Sequence, residues 1–224
     1  DVLSRVDGST PLDLLRFAHG LHQEGFNLLM IDLRNHGESA STPPVTFGLQ
    51  ESADLLGAVD YLNGRAGDDT VNINRNRIGA VGFSMGANTI LYALPQTDAI
   101  KAAIVVQPTS IDQFTRRYGR ELLGSLGGVI VTLSEAIYRR QGGIPFNAIQ
   151  PAFPVAGAGD VPILYVQGDG DRWGSYADVE QMVAGTPNAR GPLYVSSIHR
   201  FGGYQYLIDN PKIAAAFFEQ QLPE

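Results

Sequence analysis

Residues 77–94 read RIGAVGFSMGANTILYAL, and the fold is decided in this stretch. The first seven residues form a short apolar run of strand length, while residues 84–94 repeat apolar side chains at helical spacing. Between the two stands Gly82-Phe83-Ser84-Met85-Gly86, a G-x-S-x-G pattern. A strand that turns into a helix through one tight corner puts the corner residue into a strained backbone conformation. Flanking glycines keep side chains out of the way, so the hydroxyl stands above the strand end. The helix N-terminus beneath it favours developing negative charge. The pattern alone is weak; its strand–turn–helix setting makes Ser84 the candidate nucleophile. The backbone N–H of Met85, next in the chain, is the candidate oxyanion donor.

Working outward, the same alternation recurs. Residues 26–32 (FNLLMID), 102–107 (AAIVVQ), 161–167 (VPILYVQ) and 192–197 (PLYVSS) are further apolar runs of strand length. Helices are expected from Thr10 as N-cap and Pro11 at the first position to Gly25, then over 49–63, 84–94 and 205–221. Strands alternating with helices predict an α/β fold with a doubly wound, mostly parallel sheet. Residues 108–160 break the rhythm, being far longer than an ordinary connection. They contain helical patches at Ile111–Leu123 and 129–140, so they are expected to form a cap-like helical insertion within one domain spanning 1–224.

Composition narrows the function. With 16 basic and 23 acidic side chains the net charge is −7, which argues against a nucleic-acid partner. The basic groups Arg116-Arg117, Arg120 and Arg139-Arg140 are read as solvated helix faces. The absence of cysteine excludes disulfides, thiolate metal sites and a cysteine nucleophile. No apolar run has the length of a membrane span. His36 and Glu38 lack a second ligand at helical spacing, so no metal is expected, and nothing calls for a cofactor. His19 and His22 are read as surface residues of the first helix.

A serine hydroxyl needs a base to become a nucleophile, and the base needs an acid to orient it. The run at 161–167 leads into Gly168-Asp169-Gly170-Asp171, which offers two carboxylates. Asp169 abuts the strand and is expected to shape the turn, leaving Asp171 as the acid. The run at 192–197 leads into Ile198-His199, the only histidine after residue 36. His199 is therefore the candidate base, and the order Ser, Asp, His follows.

These residues carry a family likeness. The whole chain resembles α/β-hydrolases, particularly the Bem46-like serine hydrolases. Residues 32–39 (DLRNHGES) resemble that family's D-x-R-G-H-G-x-S loop, with Asn35 in place of a glycine. Gly82 to Gly86 matches the nucleophile elbow, Gly168-x-x-Asp171 the acid loop, His199 the base, and Phe217-Phe218 an aromatic pair near the C-terminus. The resemblance implies an α/β-hydrolase fold with a helical cap. It also implies several strands and an H-G loop ahead of the first helix, with one oxyanion donor on that loop. The sequence does not begin with Met and starts after these elements, so a front portion is expected to be missing. Loss of that donor would cost about 2.7–4 kcal/mol of transition-state stabilisation.

The expected activity is that of a carboxylesterase-like serine hydrolase. It would cleave a carboxylic ester or related small-molecule acyl substrate through an acyl-enzyme on Ser84. A peptidase or thioesterase would use the same residues, and a non-catalytic binding protein of the same fold is the alternative from another class.

Overall fold

The computed structural model describes residues 12–66, 73–174 and 176–223. Among the described residues, four strands form one parallel sheet in the order β1 (Ile78–Phe83), β2 (Ile100–Val106), β3 (Ile163–Gly168), β4 (Ala189–Val195). Around it lie α1 (Leu14–Gln23), α2 (Ser52–Arg65), α3 (Met85–Ala93), α6 (Tyr176–Gly185), α7 (Arg200–Asp209) and α8 (Pro211–Gln221). A hairpin of α4 (Ile111–Leu123) and α5 (Gly127–Arg140) projects between β2 and β3.

Strand β2 shows why this is a doubly wound sheet. Ala102, Ile104 and Val106 face a core that holds Phe17 of α1, Leu207 of α7 and Phe218 of α8. Ala103 and Val105 face the opposite core, with Val59 of α2, Leu91 of α3 and Met182 of α6. A strand covered on both sides must be apolar throughout, and residues 100–106 carry a single charged side chain, Lys101. On β1 the missing side chain of Gly79 admits the Phe218 ring, since a Cβ there would lie 2.6 Å from it.

Helix α1 is capped by Asp13, whose Oδ1 accepts from Arg16 N at 2.9 Å, and it ends at Gly25 with φ +93°. The expected cap, Thr10-Pro11, lies outside the described residues. The expected single helix over 205–221 is instead two. Pro211 has no N–H with which to continue the ladder, so the chain bends at Asn210 and α8 restarts from Pro211. Its predecessor α7 begins as early as Arg200, directly after the candidate base.

One strand expectation fails. Residues 26–32 form no ladder, and Leu28, Leu29, Met30 and Ile31 are 38–51% exposed. An apolar run becomes a strand only where its backbone groups meet a partner. The β1 edge facing it is itself unpaired among the described residues. Between the two runs a groove of about 1050 Å³, lined by Leu29, Ile31, Ile78, Ala80 and, at one end, Met85 and Gly86.

Candidate active site

Ser84 sits between β1 and α3 with φ +52° and ψ −113°, a conformation that L-residues rarely adopt. Two hydrogen bonds hold the turn: Ser84 N donates to Val106 O at 2.9 Å, and Ser84 O accepts from Asn88 N at 3.1 Å. Gly82 is required by contact, because a Cβ there would lie 2.3 Å from Gly86 O. Gly86 itself faces open space, so only one of the two flanking glycines is fixed by packing. Met85 is the first residue of α3, where a backbone N–H has no acceptor within the helix.

Asp171 follows β3, and its side chain is 1% exposed. Its Oδ1 accepts from Trp173 N and Gly174 N, both at 3.0 Å, and its Oδ2 accepts from Gln167 Nε2 at 3.3 Å. Asp169 instead turns outward and accepts from Ser197 N, pinning the β3 loop to the end of β4.

Opposite Asp171 stands Arg200, a residue to which sequence reasoning assigned no role. Its side chain is 3% exposed. Nη1 pairs with Asp171 Oδ2, Nη2 donates to Gln107 O at 2.6 Å, and the same nitrogen reaches Ser84 Oγ at 3.4 Å. The guanidinium stacks between Phe114 and Tyr204, 5.4 Å and 5.3 Å from the ring centroids. Burial opposes its charge, but Tyr204 and the Asp171 carboxylate outweigh that and hold its pKa above the ordinary arginine value. Burial pushes the Tyr204 phenol up, and its hydroxyl also hydrogen-bonds Ser84. Gln107 completes the cluster from a strained backbone of φ +51°: its Nε2 donates to Arg200 O at 2.6 Å and its Oε1 accepts from Gly168 N.

His199 is exposed and caps α7, its Nδ1 accepting from Gly202 N at 3.3 Å. Its ring packs edge-on against Phe201. The structure thus brings Ser84 and Asp171 to the two ends of one guanidinium and leaves His199 one residue away, facing solvent. No signal in the sequence separates the two neighbours: His199-Arg200 is a pair in which either side chain can face inward, depending on where α7 begins.

Above this cluster lies the α4–α5 hairpin. Phe114 and Tyr118 pack on Trp173, whose Nε1 donates to Glu121 Oε2 at 2.7 Å, and Arg117 donates to Gly174 O. Its base is fixed by Asp178, 2% exposed, which accepts from Ser110 N at 2.7 Å and Ser110 Oγ at 2.6 Å. The loop at 32–39 is knitted internally. Asn35 takes φ +66° and exchanges hydrogen bonds with Thr42, and His36 Nδ1 lies 2.9 Å from Arg34 O. Asparagine is one of the few residues that tolerate the left-handed region, so the turn forms here without a glycine. No cluster of potential metal ligands occurs among the described residues.

A family model described as "Alpha/beta hydrolase family" matches residues 8–220. A comparison with curated protein sequences finds no significant match. Among solved structures, the Pyrococcus furiosus esterase Pf2001 is similar with a TM-score of 0.70 at 22% identity, covering 94% of this chain and 77% of that one. Est1E from Butyrivibrio proteoclasticus, solved with ferulic acid, gives 0.64 at 18%, covering 94% and 83%. An acylaminoacyl peptidase from Pyrococcus horikoshii gives 0.52 at 18%, covering 79% of this chain and 28% of its own. At such identities the likeness is one of fold.

Proposed function

Since the chain belongs to the alpha/beta hydrolase family, we propose that it is a serine hydrolase cleaving carboxylic esters through an acyl-enzyme on Ser84. The observation that carries this is the strained Ser84 turn at the N-terminus of α3, whose hydroxyl lies 3.4 Å from the Arg200 guanidinium that pairs with the buried Asp171. Strain of this kind costs of order 1–3 kcal/mol and persists where the surroundings enforce it. An idle serine has no need of it.

In this reading His199 takes the Ser84 proton as Oγ attacks the ester carbonyl, and the Met85 N–H receives the oxyanion. Collapse expels the alcohol, which takes the proton from His199. Water, deprotonated by His199, then attacks the acyl-enzyme, releasing the acid and restoring Ser84. Asp171 holds the imidazolium. For this, His199 must release Gly202 N–H and take the place of Arg200 at Asp171, so the start of α7 rearranges on activation. The α4–α5 hairpin, whose Phe114 packs on the Arg200 guanidinium beside Ser84, is the element expected to set substrate size. Ester cleavage is preferred because Pf2001 is an esterase and Est1E was solved with a carboxylic acid. Peptide or thioester cleavage would draw on the same residues.

A second reading is favoured by one observation: Arg200 fills the space between Ser84 and Asp171. If it stays there, the protein binds without turning over. Hydrolysis of p-nitrophenyl butyrate, with amide and thioester analogues in parallel, separates the readings. Turnover lost by about 10³-fold or more in Ser84→Ala and in His199→Ala supports the first. Turnover that survives Ser84→Ala contradicts it.

A further inference from the structure

Within Ile111–Arg140 lies an 18-residue window apolar enough for a membrane span, although it is not an unbroken apolar run, and the segment folds back on itself as α4 and α5. Gly124 makes the break at φ +57°, and the helices cross with backbones in contact: a Cβ on Gly127 would lie 2.2 Å from Gly119 O. Tight packing on one side leaves the other uncovered. Leu126, Val129, Ile130, Leu133 and Ile137 recur at helical spacing along the outer face of α5 and are 40–64% exposed. A continuous apolar stripe of this kind marks an interaction surface.

Charge decides the partner. The hairpin carries five arginines and three carboxylates. Every carboxylate is engaged: Asp112 with Arg116, Glu121 with Trp173 and Arg172, and Glu135 with Phe146 N on the inner side of α5. Arg120, Arg139 and Arg140 are exposed and form no ion pair among the described residues. Arg140 falls in line with the stripe at its C-terminal end. The exposed face is therefore apolar with cations at its border, on a protein whose net charge is −7. A second copy docked face to face would bring these uncommitted cations together. An anionic bilayer would attract this face and repel the rest of the molecule, which fixes the orientation.

We propose that the outer face of α5 docks on an anionic lipid bilayer, with Leu126, Val129, Ile130, Leu133 and Ile137 at the acyl boundary and Arg139 and Arg140 at the headgroups. The docking needs no turnover, so its test stands apart from the hydrolase reading. The full chain is sedimented with vesicles of equal parts phosphatidylcholine and phosphatidylglycerol, and with phosphatidylcholine alone, at low and high salt. The expected result is binding to the anionic vesicles at low salt, weakened by salt. Binding should fall about tenfold or more in Leu133→Asp, and also in Arg139→Glu/Arg140→Glu, which keeps the stripe and serves should the first variant not fold. Circular dichroism of each variant confirms the fold. No binding to anionic vesicles, equal binding to neutral ones, or unchanged binding by the folded variants would overturn the proposal. So would a solution dimer abolished by Leu133→Asp without vesicle binding, which would make the face a contact between copies.

Discussion

A guanidinium that is 3% exposed is costly to bury, and Tyr204 and the Asp171 carboxylate packed against Arg200 offset that cost. Replacing Arg200 by Gln leaves Asp171 without its ion partner, and we expect a loss of about 3–5 kcal/mol in urea denaturation. Lysine should rescue little, since it cannot reach Asp171, Gln107 O and Ser84 at once with a planar fork. A neutral change in Arg200→Gln would show that the pair is not closed in solution. At the elbow, Gly82→Ala drives a Cβ into Gly86 O and should destabilise by about 1–3 kcal/mol or more, whereas Gly86→Ala meets open space. The two melting curves distinguish the sites. Ser84 and the candidate acid were legible in the sequence because a strained turn and a Gly-rich strand end leave marks in residue type. The inward orientation of Arg200 was not, because it depends on the first turn of α7.

Elements were legible where one physical demand dominates. Both-sided burial announces β1, β2 and β3, and the Pro211 ring stops a helix wherever it falls. Residues 26–32 show the limit: their apolar character reports a position that wants cover, but a strand also requires a neighbour at hydrogen-bonding distance. The α4–α5 hairpin depends on the Gly119–Gly127 contact, so Gly127→Ala should separate the helices and lower the melting temperature. An unchanged melting temperature would mean that the hairpin relaxes without cost. Helix α2 is tied to the 32–39 loop by Asp54, which accepts from Arg34 N and both guanidinium nitrogens Nε and Nη2. Those hydrogen bonds from Arg34 hold the Asp54 carboxyl below its ordinary value, against the opposing effect of burial. A carboxyl with a depressed folded value contributes stability that is present above the usual aspartate range and is lost as pH falls through the lowered value. Asp54→Asn should therefore flatten the acid limb of the stability profile while leaving its neutral slope unchanged.

At the scale of the molecule, the ends of β1, β3 and β4 converge on one rim of the sheet, which is where an open α/β sheet places its ligands. Ser84 and Asp171 reach that rim from β1 and β3, the two strands that flank β2, with the Arg200 guanidinium between them, and the candidate base His199 lies beyond the end of β4 on the same rim. We propose that this rim holds an activated serine, and that the guanidinium between Ser84 and Asp171 gives way to His199 in use. Labelling of the full chain with a fluorophosphonate probe, located by peptide mapping, tests it without any choice of substrate. The expected result is an adduct on Ser84 that is absent in Ser84→Ala and strongly slowed in His199→Ala. A folded protein that takes up no probe, or that labels as fast without His199, would contradict it.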